Sequence, residues 1–193
     1  AIVANRKKGD AAKNKVKLQE NKEHCIVTNI GISLLLDKMA DETCLKPLLQ
    51  NVFADDWQQI LTSAYYLVSE GGSLCHVSEW IARNRAPYNG SLTSQRITEL
   101  LTRITPSLQQ EFFQKWIEVN KQDKYYAMDI TSISSYSEFI EFVRWGYNRD
   151  GEELPQINLL MLTGEKSRLP IYYRIISGSI KDVSTLQESL ENL

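Results

Sequence analysis

The stretch Lys124-Tyr125-Tyr126-Ala127-Met128-Asp129-Ile130-Thr131-Ser132 is a short apolar run with one carboxylate in its middle. A carboxylate inside a segment patterned as a buried strand costs several kcal/mol to desolvate unless a metal ion or a basic partner compensates its charge. Asp129 is therefore the first candidate functional residue and is expected to be withdrawn from solvent. Working outward, residues 125–130 predict a first strand, 156–162 a second and 169–177 a third, with 164–168 a short hairpin-type connection between the last two. The long stretch 131–155 contains the turn signal Asn148-Arg149-Asp150-Gly151. Gly178 ends the third strand, and residues 182–193 place Val183, Leu186 and Leu190 at helical spacing.

Upstream of Lys121 the apolar period is that of helices. Residues 29–40 predict a helix with Ile30, Leu34, Leu35 and Met39 on its inner side, and a short helix follows over 44–51. Asp55 is placed to cap a helix carrying Trp57, Ile60, Leu61, Ala64, Tyr65 and Val68 inward, with Gly71-Gly72 as its left-handed stop. Residues 74–83 read as helical through Leu74, Val77, Trp80 and Ile81 until Pro87 and Asn89-Gly90 force a turn. Thr93 caps a helix with Ile97, Leu100, Leu101 and Ile104, and Thr105-Pro106 opens another with Leu108, Phe112, Trp116 and Ile117. The fold class is thus α+β, divided into residues 1–24, a basic, flexible arm; 25–122, a helical region; and 123–193, a sheet-bearing region.

With 42% hydrophobic and 24% charged residues the composition is that of a folded domain rather than a disordered chain. No stretch approaches the ~18 apolar residues of a membrane span, and the first residues lack the order of a signal peptide, so a cytoplasmic protein is expected. Cys25, Cys44 and Cys75 are widely spaced and His24 and His76 are the only histidines, which speaks against a zinc site and for reduced thiols. His76 and Glu79 have a metal-compatible spacing but lack a third ligand.

The net charge of −2 hides an asymmetry. The first 24 residues hold Arg6, Lys7, Lys8, Lys13, Lys15, Lys17 and Lys22 against Asp10, Glu20 and Glu23. Such an arm can neutralise DNA phosphates or serve as a solvated lead-in, and the charge run alone leans to the second. The helix bearing Ser94, Gln95 and Arg96, preceded by 74–83, could be a helix-turn-helix reader, but the connection over 84–92 is long for that motif and a plain packed pair is favoured. Trp57, Trp80, Trp116, Phe112 and Phe113 read as core. Trp145 and Tyr147, beside Arg144 and Arg149, could touch a DNA backbone or pack on their own domain.

The blocks Asp129-Ile130-Thr131-Ser132-Ile133-Ser134-Ser135, Trp145-Gly146-Tyr147-Asn148-Arg149-Asp150-Gly151, Pro155-Gln156-Ile157-Asn158, Leu169-Pro170-Ile171-Tyr172, and Ser177-Gly178-Ser179 with Asp182 are similar to the first half of the catalytic domain of bacterial DDE transposases of the IS-four-like group. The resemblance implies the first three antiparallel strands and first helix of a ribonuclease H-like fold, binding of insertion-element DNA ends, and strand cleavage and transfer with Mg²⁺ or Mn²⁺. It makes Asp129 the first metal-binding acid of a triad and the chain a transposase fragment that stops before the second Asp and the Glu. Such a fragment is expected to be inactive alone, since Mg²⁺ needs several well-placed oxygens. Asp150 fits a surface turn better than a second acid, and Asp182 fits a helix cap. Arg6, Lys7, Lys8, Lys13, Lys15, Lys17, Arg96, Arg144 and Arg149 are the candidate DNA contacts.

The resemblance also implies that the first strand lies between the second and a fourth, so the fragment leaves residues 125–130 as an unpaired apolar edge, open to homo-oligomer formation or aggregation. A truncated, non-catalytic DNA-binding or oligomerising protein that competes with an intact transposase is the alternative. An unrelated α+β binding module, with Asp129 bonded to an arginine or to backbone amides, is the third. Placement of Asp129 on the exterior, or burial against a guanidinium without a neighbouring three-strand meander, is the outcome expected to overturn the nuclease ancestry.

Overall fold

The structure, a computed structural model, describes residues 27–146 and 154–179. Among these residues the fold is α+β, with six α-helices and a three-stranded antiparallel sheet. The helices are α1 (Gly31–Glu42), α2 (Leu45–Val52), α3 (Trp57–Glu70), α4 (Val77–Arg83), α5 (Ser94–Arg103) and α6 (Pro106–Asn120). The strands are β1 (Tyr126–Ser134), β2 (Gln156–Gly164) and β3 (Pro170–Ser177), in the spatial order β1-β2-β3.

Capping residues set several of the helix ends. Thr93 and Thr105 accept the backbone N–H groups of Arg96 and Leu108 through their hydroxyls, and Pro106 occupies the first turn of α6, where no N–H is needed. α3 stops at Gly71, whose φ of +67° is the left-handed conformation and whose N–H returns to the Leu67 carbonyl. The start of α3 differs from the expected Asp55 cap. Asp56 directly precedes the helix, and its carboxylate instead takes two bonds from the Arg103 guanidinium, at 2.9 and 2.7 Å, tying α3 to the end of α5. The run from Leu74 opens as a 3₁₀ turn, Leu74–His76, before α4 begins.

The helical core gathers Leu36, Leu49, Leu61, Tyr66, Val77, Trp80, Leu92, Ile97 and Leu100. Trp80 is only 1% exposed and meets the Tyr66 ring edge-on at 6.3 Å. The inner face of α1 is not the expected one. Ser33, Leu36 and Ala40 point inward, whereas Ile30, Leu34, Leu35 and Met39 are exposed. Apolar residues lie all round this helix, so periodicity could not choose its phase, and backbone bonds choose it instead. Asn29 donates to the Arg83 carbonyl and accepts from Arg85, both at 2.8 Å, and the Ser33 hydroxyl donates to the Arg85 carbonyl. Val68 and Leu101, expected inside, are exposed for want of a covering element among the described residues.

α6 joins the two layers. Phe112 lies parallel to Trp116 and tilted against Phe53 of the segment after α2, while Phe113 meets the edges of Tyr172 and Tyr173 on β3 at 5.1 and 5.2 Å. The Trp116 indole N–H donates to the Pro170 carbonyl at 2.8 Å.

In the sheet, Tyr126 pairs with Gly164 and Ser134 with Gln156, and β2 pairs with β3 from Ile157–Ser177 to Thr163–Pro170 with an irregularity at Leu162/Thr163. β1 runs four residues beyond the expected end at Ile130. Its polar continuation is held because the Ser132 hydroxyl donates to the Asn158 side chain, which also accepts from Gln156. Leu160, Ile171 and Ile176 are the buried apolar residues of the sheet.

Replacing Trp80 by alanine should cost about 3–5 kcal/mol, the range for emptying a large buried aromatic site. Chemical denaturation of the purified chain measures it.

Candidate functional site

Asp129 is the fourth residue of β1, opposite Met161, which in turn lies opposite Tyr173 of β3. Directly opposed residues of antiparallel strands share a face, so these three form one row across the sheet. Thr131, Leu159 and Ile175 form the adjacent row on the same face. β1 is an edge strand, and Asp129 is exposed, which corrects the expectation of burial. Water solvates the carboxylate, so no desolvation penalty calls for a compensating charge. That exposure is the outcome expected to overturn the nuclease ancestry, and the three-strand meander beside Asp129 is the part of the expected arrangement that is present. The Asp129 carboxylate accepts a long bond, 3.4 Å, from the Thr131 hydroxyl, and no arginine or backbone amide is seen bonded to it among the described residues.

The remaining sequence candidates are dispersed. Arg96 is exposed at the start of α5, where its guanidinium donates to the Ser91 carbonyl. Arg144 is exposed, and its backbone exchanges both hydrogen bonds with Gln156, extending the sheet by one bridge. Trp145 projects into solvent. Arg6, Lys7, Lys8, Lys13, Lys15, Lys17, Tyr147, Arg149, Asp150 and Asp182 lie outside the described residues. His76 and Glu79 approach to 3.9 Å on the surface, and no group of three His, Cys, Asp or Glu with metal-binding placement occurs among the described residues. Cys44 and Cys75 are exposed free thiols. Trp80 and Trp116 are buried, and Trp57, Phe112 and Phe113 partly so, as core residues should be. No helix among the described residues is long and apolar enough to cross a membrane.

A different carboxylate is buried. Asp123, 9% exposed, lies between α6 and β1 and accepts the backbone N–H groups of Lys166 (2.7 Å) and Ser167 (3.2 and 3.3 Å) in the β2–β3 turn. The Ser167 side-chain hydrogen bond, followed by these backbone donors and the nearby Lys166 charge, holds its carboxyl below the usual aspartate range against the opposing effect of burial. A Cβ at Gly164 would meet the Asp123 carboxylate and the Ser167 hydroxyl, so a side chain there would have to displace the groups that make these hydrogen bonds. Nothing local in the sequence marks Asp123, because its partners are more than forty positions away. In the helical core, Tyr65 donates to Asp37 at 2.9 Å, and Asp37 also faces Arg85 at 3.5 Å. Burial first, then the Asp37 bond, raises the Tyr65 hydroxyl well above its ordinary pKa.

The second feature that sequence reasoning missed is a cleft of about 590 Å³ between α6 and β3, lined by Gln109, Gln110, Phe113 and Gln114 on the helix and by Tyr172 to Ile175 on the strand. Its strand side contains Tyr173, the end of the row that begins at Asp129.

In comparisons with known proteins, no family model, curated protein or solved structure matches the chain.

Because the folded Asp123 carboxyl titrates below its unfolded value, its stabilisation is fully present above about pH 4 and is lost as pH falls through the lowered folded value. Asp123→Asn should therefore lower the melting temperature at neutral pH, and the gap from wild type should narrow in acid below that point. Thermal melts recorded from pH 7 downward measure the gap.

Proposed function

We propose that this chain is part of a DDE transposase acting in the bacterial cytoplasm, with a helical region that binds element DNA followed by the opening strands of a ribonuclease H-like nuclease domain. The observation that carries the reading is the antiparallel meander with Asp129 near the middle of its first strand. The ordered sequence blocks from Asp129 to Asp182 support the same reading. The exposure of Asp129 means that the case rests on strand order and those blocks, and not on a buried charge.

The chemistry asks for two divalent ions about 4 Å apart, one activating water or a 3′ hydroxyl and the other stabilising the leaving oxygen. Asp129 offers hard oxygen donors suited to Mg²⁺ or Mn²⁺, and its solvent-facing position leaves it open to an ion. A lone carboxylate holds such an ion weakly, so activity needs the two acidic companions that the resemblance implies. The basic residues of 1–24 would neutralise DNA phosphates.

A second reading is a non-catalytic DNA-binding or oligomerising protein that competes with an intact transposase. It is favoured by the edge position of β1, where Tyr126, Met128 and Ile133 expose apolar surface that invites strand pairing.

Titration of Mn²⁺ into the chain should give no tight site, and supercoiled DNA should remain uncut; robust nicking abolished by Asp129→Asn would refute the need for companion acids. Removing residues 1–24 should flatten the dependence of log Kd for DNA on log salt concentration. An unchanged slope would show that the arm makes no phosphate contacts.

A further inference from the structure

We infer that the outer edge of β1 pairs with the same edge of a second copy of this chain, antiparallel and about a two-fold axis at Ile130, so that two sheets join into one. The inference rests on the second reading above, the oligomerising chain, and deepens it by naming the paired surface and its register. Which backbone groups of β1 face outward follows from its ladder with β2. The Tyr125 carbonyl accepts from Glu165 at one end, at 3.1 Å, and the Ser135 N–H donates to Pro155 at the other, at 2.9 Å. Residues of an antiparallel pair bond alternately, so the odd-numbered residues of β1 bond to β2 and the even-numbered ones turn N–H and C=O away from it. The side-chain bond of 3.0 Å from Ser132 to Asn158 agrees, since side chains come closest at the pairs without backbone bonds. Tyr126, Met128, Ile130 and Ser132 therefore present backbone donors and acceptors along an edge that no strand covers among the described residues.

A two-fold pairing must set even residues against even residues, and the charge on Asp129 chooses among the registers that do so. Centring on Asp129 would place two carboxylates directly opposite each other, which is destabilising. Centring on Thr131 would set each carboxylate against the apolar Ile133 of the other copy. Centring on Met128 or Ser132 would pair only part of the strand. Centring on Ile130 aligns the whole of β1, Tyr126–Ser134, with itself. In that register Ile130 forms a hydrogen-bonded pair with the partner's Ile130, and Met128 forms one with the partner's Ser132. Each Asp129 then stands opposite the partner's Thr131, whose hydroxyl is a donor, beside the long bond of 3.4 Å that the carboxylate accepts within its own strand. The two carboxylates lie on a diagonal, about 7–8 Å apart.

β1 also carries none of the devices that keep sheet edges apart. It has no proline, lysine or arginine, and it pairs with β2 without a bulge. β3, the opposite edge, begins at Pro170, and its pairing with β2 is irregular at Leu162/Thr163. The apolar side chains fit the same partner. Ile130 shares a row with the buried Leu160, so its contact with the partner's Ile130 continues an apolar row from one sheet into the other, and Tyr126 and Met128 beside it lose exposed surface. The edge is complementary to itself about Ile130, a match that a strand of other sequence has no cause to make.

The test is sedimentation equilibrium of the full chain across a concentration series, with hydrogen exchange read at single amides. Wild type should reach twice the monomer mass, and the amides of Met128, Ile130 and Ser132 should slow as the dimer forms. Ile130→Pro removes an N–H that faces away from β2 and should leave a folded monomer, with melting curves as the check on folding. Thr131 is exposed, so its variants disturb no core. Thr131→Asp sets acids opposite each other and should weaken dimerisation about five- to ten-fold, while Thr131→Lys should strengthen it by a similar factor. A chain that stays monomeric, open-ended aggregation in place of a discrete dimer, or a dimer indifferent to the charge at position 131 would overturn the inference. Slow amides at Met128, Ile130 and Ser132 in a monomer would overturn it in favour of a strand from elsewhere in the same chain. A monomer that still binds DNA would sink the pairing and leave the competing-protein reading standing; a monomer that binds no DNA would remove both.

Discussion

The packing of α6 against its two neighbours is the constraint on which the rest depends. One side of this helix stacks Phe112 on Trp116 and leans on Phe53, while Phe113 faces the tyrosines of β3. Adjacent aromatic residues serve opposite layers, because a step of one residue turns a helix by about 100°. The helical core and the sheet each bury their own apolar side chains, and α6 fixes the distance between them.

Polar groups do specific work where apolar ones run short. Ser132, Asn158 and Gln156 link β1 and β2 through side chains on a face that otherwise depends on Leu160 and Ile176. The Asp56–Arg103 pair joins two helix ends, and the Asn29 and Ser33 bonds set the rotation of α1. A shared hydrogen bond has one good geometry, whereas apolar contact tolerates several, so these groups select among arrangements that burial alone would leave nearly equal.

Features written in local chemistry were legible in the sequence. Thr93, Thr105-Pro106 and Gly71 mark helix ends through dihedral preferences and nearby donors, and all three act as read. The three strands followed from the period change near Lys121, and their antiparallel arrangement was what the resemblance implied. Features set by distant partners were not legible. The phase of α1 depends on Arg83 and Arg85, more than fifty positions on, and the role of Asp123 depends on a turn that comes after β2. Asp129 was misjudged as buried because an apolar flank on an edge strand looks in sequence like that of a central one.

The Asp123 clasp bears on how the molecule can bend. Trp116 grips the start of β3, and Asp123, a few residues later, grips the turn leading into it. Two anchors on one hairpin leave the intervening backbone little slack. The passage from helical to extended sequence near Lys121 is consequently a compositional seam and not an articulation, and large relative swings of the two layers would have to break both attachments together.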